Sequence, residues 1–256
     1  MSPTILLGRA TLLVGGWLLG ALSLANALEL PDLIAHAKPS VVGVGTFEPL
    51  RAPQHLLGGT GFVVGDGLTV ITNHHVIDTH PADDAKQSLV IFIGPGKQPE
   101  VRAVTVIESD REHDLSVLRV SGAPLPALQL SDGNSVREGQ AVALIGFPIG
   151  AVLGLFPSTN AGIVSAISPI AIPQASSQSL TAAQIRRLQK PFDVYQLDAI
   201  AYPGNSGSPV FDIASGSVIG VVNSVFARQA KEGLLKDPSA ITYAIPVAYV
   251  HALLNH

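Results

Sequence analysis

From residue 41 onward the sequence is a series of short apolar runs, rich in Val, Ile and Thr and separated by Gly, Pro, Asp and Asn. The runs cover residues 41–46, 61–64, 68–72, 89–93, 102–108, 115–120, 141–145, 162–167, 218–223 and 241–245. Each is shorter than an ordinary helix and is bounded by turn formers, so strands are the expected elements. Parallel βαβ units would need a helical crossover between strands, and most of the gaps carry no helical periodicity. The pattern therefore predicts an all-β chain, closed into a barrel or stacked as a sandwich. Ala123-Pro124-Leu125-Pro126 reads as a connector near the middle. It divides the chain into two halves of similar size, about 38–122 and about 128–246.

Three segments depart from the β pattern. Residues 31–37 suit one short helix, with Pro31 at its start and Pro39 as its stop. Thr181-Ala182-Ala183-Gln184 has the form of a capping box. Ile185 and Leu188 share a face behind it, and Pro191 ends the segment. Residues 247–256 read as a terminal amphipathic helix. Residues 60–71 also resemble residues 206–219: each runs hydroxyl-Gly, strand, Asp/Gly turn, strand. An internal duplication would explain the likeness, and so would two hairpins drawn from the same turn chemistry.

The first 27 residues have a different character. Arg9 is the one charged side chain among them, and residues 11–24 form a 14-residue apolar run. Ala25-Asn26-Ala27 then supplies the small-x-small spacing of a cleavage site, so residues 1–27 are expected to be a secretory signal peptide. The run falls short of the roughly 20 residues that span a bilayer. The competing reading is an uncleaved membrane anchor. Either way the rest of the chain, residues 28–256 with 28–250 as its main domain, would be exported to the periplasm or the exterior. It contains no Cys, so stability there cannot rest on disulfides. Removal of the leader would also take away Met1 and Trp17, the only Met and Trp.

Composition excludes several functions. Without Cys there is no thiol nucleophile, iron–sulfur cluster or zinc–thiolate site. A formal net charge of −4 offers no basic field, so no nucleic-acid partner is expected. No metal or other cofactor is expected either. His74 and His75 are adjacent, and adjacent strand residues face opposite ways, which argues against a metal pair.

Three stretches carry chemistry, in chain order: TNHHVI at 72–77, EHDLSVL at 112–118 and GNSGSPV at 204–210. A serine hydroxyl attacks a carbonyl only when a base takes its proton. Histidine suits that role near neutral pH. A buried carboxylate fixes the imidazole tautomer and stabilises the imidazolium. Glycines beside the serine permit a turn whose N–H groups converge on the forming oxyanion. One box alone would be weak; three in order point to acyl transfer. An esterase on an α/β-hydrolase fold is excluded, because no GxSxG elbow occurs and the triad order differs.

These boxes resemble those of the trypsin-like serine proteases, and most nearly the HtrA/Deg family. GGTGFVV (58–64), ALIGFPIG (143–150), GIVSAIS (162–168), QLDAI (196–200) and TYAIPV (242–247) extend the resemblance over most of the chain. It implies two six-stranded antiparallel β-barrels with a C-terminal helix. It also implies His75 as general base, Asp114 as orienting acid and Ser206 as nucleophile. Gly204, Asn205 and Ser206 would form the oxyanion hole. Ile200, Ala201, Tyr202, Val222, Asn223 and Ser224 would line the specificity pocket. That lining has no carboxylate for Arg or Lys and no histidine of the glutamyl endopeptidase kind, so a small or medium aliphatic residue is expected before the scissile bond. The implied partners are polypeptide substrates, unfolded or misfolded, and the family includes trimers. Family members commonly carry a PDZ domain after the protease; the chain ends at His256, and none is expected within it. Asn205 stands where zymogen-activated relatives carry an aspartate, so leader removal is not expected to switch activity on. The alternative function is a proteolytically idle binding or chaperone-like module on the same fold.

Overall fold

The computed structural model describes residues 29–78, 87–96, 98–134, 136–148, 154–170, 191–223 and 241–255. The leader reading, the capping box at 181–184 and Ser224 lie outside the described residues.

Twelve strands form two closed antiparallel barrels. The first holds β1 (Val41–Phe47), β2 (His55–Val64), β3 (Thr69–Thr72), β4 (Ser88–Ile93), β5 (Glu100–Asp110) and β6 (Leu115–Val120). The second holds β7 (Ala141–Gly146), β8 (Ser158–Pro169), β9 (Asp193–Asp198), β10 (Pro209–Asp212), β11 (Val218–Asn223) and β12 (Ile241–Pro246). In the first, the strands run β1-β2-β3-β6-β5-β4 and close on β1. In the second, the pairing β7-β8-β9-β12-β11-β10 closes on β7. The two orders are the same order.

This shared topology corrects the duplication suggested by the sequence. Residues 60–71 span the second and third strands of the first barrel, whereas residues 206–219 span the fourth and fifth of the second. The hairpins are not equivalent. Their likeness comes from Asp/Gly turn chemistry: Asp66 Oδ1 accepts the Leu68 N–H at 3.0 Å, and Asp212 Oδ2 accepts the Ser215 N–H at 3.0 Å.

The ten apolar runs all fall on strands, but β9 and β10 have no run of their own. DVYQLD in β9 mixes polar with apolar residues, and β10 opens on Pro209, which has no N–H to give to a ladder. Most runs are continuously apolar because both strand faces are buried. Val42, Val63, Val70, Ile91 and Leu118 fill the first barrel. Val142, Leu144, Val210, Ile219 and Val222 fill the second. Their strand neighbours Val41, Phe62, Ile71, Val117, Ile145, Phe211 and Val221 face outward into a third core shared by both barrels. The period-two alternation of side chains divides each run between two cores.

Two helices seal the shared core. α1 (Leu30–Ala37) buries Leu33 and Ala37 and is continued by a 3₁₀ turn at Lys38–Ser40. The terminal helix (Val247–Leu254) buries Val247, Val250 and Leu253. No helix among the described residues is long and apolar enough to cross a membrane.

Phe62 and Phe211 lie in the shared core, one from each barrel, and both are fully buried. Truncating either to Ala should cost about 3–5 kcal/mol, read as a shift in the urea unfolding midpoint. A loss under about 1 kcal/mol would mean the shared core does not rely on that ring.

Candidate active site

The first barrel supplies the histidine and the aspartate. β3 ends at Thr72, and the chain turns at once into α2 (His74–Asp78), a single helical turn. TNHHVI is therefore not simply a strand end. His74 and His75 diverge because they are consecutive on a helix, about 100° apart. His74 Nδ1 lies 3.3 Å from Ser116 Oγ and turns away from Asp114. His75 Nδ1 donates to Asp114 Oδ2 at 2.6 Å, and the His75 N–H donates to Asp114 Oδ1 at 2.8 Å.

Asp114 is the one described residue other than glycine with a positive φ, at 56°. The left-handed region is costly for most L-residues and marks sites where the surroundings hold the backbone. Here the hold is visible. The Asp114 carbonyl accepts the His74 N–H at 3.1 Å and Asn73 Nδ2 at 3.0 Å. Asn73 stands at the usual place of a helix N-cap, but among the described residues its Oδ1 accepts no N–H, and its Nδ2 holds the aspartate's backbone. From the second barrel, Asn223 Nδ2 donates to Asp114 Oδ2 at 2.6 Å. The carboxylate thus accepts three N–H bonds, and the residue is almost fully buried.

The turn that delivers Asp114 is built by Asp110. Its Oδ1 accepts the N–H groups of Glu112 at 2.9 Å and His113 at 3.0 Å. His113 Nδ1 donates to Asp110 Oδ2 at 2.5 Å. The His113 ring stacks on Tyr249 of the terminal helix, centroids 4.0 Å apart, and meets the edge of Phe192 at 4.6 Å. Burial pushes the Asp110 pKa up, but the bonds from His113 and the Glu112 N–H outweigh it and hold the carboxyl below its ordinary range.

The second barrel supplies the serine. Ser206 sits in a turn ahead of β10. The Asn205 N–H bonds Tyr202 O at 3.0 Å and the Ser208 N–H bonds Asn205 O at 3.0 Å. The Gly207 N–H bonds Val222 O at 2.9 Å. Gly204 and Gly207 have φ of 98° and 87°. A Cβ on Gly207 would run into the carbonyl oxygen of Thr60, so this position admits only glycine. Ser206 comes close to the histidine helix through Gly59: a Cβ there would stand 2.9 Å from Ser206 O and 2.7 Å from a Val76 methyl.

Several expected site residues behave differently. The Asn205 N–H closes the turn on Tyr202 and is not left for an oxyanion. Its carboxamide is fully buried beside Gly146, and among the described residues neither Oδ1 nor Nδ2 has a hydrogen-bond partner. Val222 faces the core of the second barrel, not a pocket, because strand alternation sends it inward. Asn223 turns to Asp114 and is no part of an apolar wall. Of the expected lining, Ile200 and Tyr202 are exposed and Ala201 is half-buried. The support given by Asn73 and Asn223 was not foreseen. A buried amide closing the apolar run of β11 was the available signal. Among the described residues no group of three His, Asp or Glu side chains could hold a metal ion.

The family model described as trypsin-like peptidase domain matches residues 59–221, a span that contains His75, Asp114 and Ser206. The chain belongs to that family. Within it, this peptidase domain is similar to the HtrA/Deg branch. It is 31% identical over 227 residues to a probable periplasmic serine endoprotease, DegP-like, of Halomonas elongata, covering 86% of this chain and 40% of that protein. A protein of the same name in Hahella chejuensis is 28% identical over 282 residues, covering 96% and 52%. A solved HtrA-type protease with a tripeptide superposes at a TM-score of 0.61 with 22% identity, covering 89% of this chain and 63% of that one, a likeness of fold. The peptidase domain therefore spans about half or less of the length of these curated relatives.

The lowered Asp110 pKa has a signed consequence. A carboxyl held below its unfolded value near pH 3.9 adds stability above that pH and loses it as pH falls through the folded value. Asp110→Asn should be less stable than wild type at pH 7, with the gap closing below about pH 4. Urea unfolding at pH 7 and pH 3 tests this; an equal gap at both would show that the charge is not what matters.

Proposed function

We propose that the chain is an exported serine endopeptidase that cleaves unfolded or misfolded polypeptides through a covalent acyl-enzyme, with His75, Asp114 and Ser206 as its triad. The observation that carries this reading is the His75–Asp114 pair. The ring nitrogen Nδ1 is committed to a buried carboxylate at 2.6 Å, which holds its proton there and leaves Nε2 as the basic nitrogen. Nε2 takes the Ser206 proton as Oγ attacks the scissile carbonyl carbon. The C–O bond forms, and the carbonyl oxygen becomes an oxyanion. The backbone N–H groups of Gly204 and Ser206 receive it. The imidazolium, balanced by Asp114, gives its proton to the leaving nitrogen as the C–N bond breaks. Water then repeats the sequence on the ester and frees Ser206.

Asp114 orients rather than reacts, and Asn223 orients Asp114. Ile200 and Tyr202, exposed beside the serine turn, support a preference for an aliphatic residue before the cleaved bond. The leader pattern and the periplasmic names of the relatives support export. Assembly into an oligomer, a trimer in related proteases, is part of the same reading.

Casein digestion with product sequencing, together with fluorophosphonate labelling, tests the assignment. Ser206→Ala should abolish labelling and lower kcat on the order of 10⁶-fold. Absence of labelling in the wild type would favour an idle binding module instead, and cleavage confined to Glu or Lys sites would overturn the aliphatic preference. Asn223→Ala should lower kcat roughly 10- to 100-fold, the worth of one bond to a buried charge, with KM nearly unchanged. An unaltered kcat would show that Asp114 is oriented well enough by His75 alone.

A further inference from the structure

Thr60 of β2 lies fully buried where the barrels meet, and none of its polar backbone or hydroxyl groups is idle. Its N–H donates to Ser206 O at 2.8 Å. Its Oγ1 donates to Gly204 O at 2.8 Å and accepts the Phe147 N–H at 3.0 Å. Its carbonyl accepts Thr72 Oγ1 at 2.7 Å. Because Phe147 supplies a proton to Oγ1, the hydroxyl hydrogen is directed to Gly204. The two carbonyls that Thr60 holds belong to Gly204 and Ser206. Those are the residues whose own N–H groups are the oxyanion donors proposed above.

We infer that Thr60 is a positioning residue of the first barrel that sets the oxyanion donors of the second, an inference that rests on that reading of the site. A peptide plane is rigid, so fixing the Gly204 carbonyl fixes the direction of the Asn205 N–H. That N–H is caught at its other side by Tyr202 O at 3.0 Å. The Gly204–Asn205 plane is thus held at both ends, which fixes the Gly204 ψ and the Asn205 φ; the planes that carry the Gly204 and Ser206 N–H groups join it at those two Cα atoms. Glycine alone would leave this plane free to flip, because it carries no side chain to resist rotation. Oxyanion stabilisation depends on donors already aimed before charge develops. Thr60 supplies that aim without touching substrate. The serine turn is held by its own barrel at Asn205, Gly207 and Ser208 and by the opposite barrel at the Gly204 and Ser206 carbonyls.

The test compares wild type with Thr60→Val, Thr60→Ala and Thr60→Ser. Val keeps the shape and removes the hydroxyl; Ser restores it. Thr60→Val should lower kcat roughly 10- to 100-fold, because a buried carbonyl loses its donor, with KM within about twofold. Affinity for a peptidyl trifluoromethyl ketone, whose hemiketal carries the oxyanion, should fall by the same factor. Thr60→Ser should recover most of both. Amide exchange in peptides covering residues 203–210 reads the clamp without any need for activity: it should accelerate in Thr60→Val and stay near wild type in Thr60→Ser. If the wild type proves inactive, the exchange result still decides the clamp and the activity result decides the enzyme. Unchanged exchange, a kcat equal to wild type, a loss confined to KM, or no recovery with Ser would each overturn the assignment. Failure of both Thr60→Val and Thr60→Ala to fold would make Thr60 a folding residue and would overturn it as well.

Discussion

The carboxylate of Asp114 is the point on which the candidate site depends. Burying a charge costs several kcal/mol, and the cost is offset here by three N–H donors converging on two oxygens. Two of those donors come from His75 in the first barrel and one from Asn223 in the second. The same group that orients the imidazole also ties the two barrels together. Removing a partner would leave a charge buried and underpaired, which is costlier than never having had the pair. The backbone of Asp114 adds to the constraint, since it sits in a conformation that only its surroundings sustain.

That tie would mean little if the barrels could slide. Their alignment comes from the third core, which takes outward-facing residues of both and is closed by the two helices. Burial there is non-directional and supplies the energy, while the hydrogen bonds at Asp114 and Thr60 supply the register. In a chain without disulfides, both parts of this division are needed.

Much of this was legible in the sequence. The turn-bounded runs announced strands, and the three boxes announced the trypsin-like family. The terminal helix fell on residues 247–254 as periodicity suggested. What escaped were features that exist only once the chain is closed. β9 and β10 were invisible as runs, since one is half polar and the other opens on Pro209. The resemblance placed Asn223 in the specificity pocket, because the sequence does not reveal what a polar residue closing the apolar run pairs with. Its partner, Asp114, stands 109 positions away in the chain. Val222 looked like a wall because the run does not reveal which of two cores a residue faces. Asn205 looked like an oxyanion donor, and only the turn geometry shows its N–H already engaged.

The closure of both sheets bears on the company such a protein would keep. Every described strand is hydrogen-bonded on both sides. An open edge presents a row of unpaired N–H and C=O groups, on which a stray extended chain can align and seed aggregation. On the proposed reading, a peptidase of unfolded polypeptides would meet such chains constantly. With no edge among the described strands to offer as a template, a chain that stays bound there must do so through the candidate site or through a surface that reads side chains. Co-precipitation with the client is thereby disfavoured by topology itself, before any active-site chemistry begins.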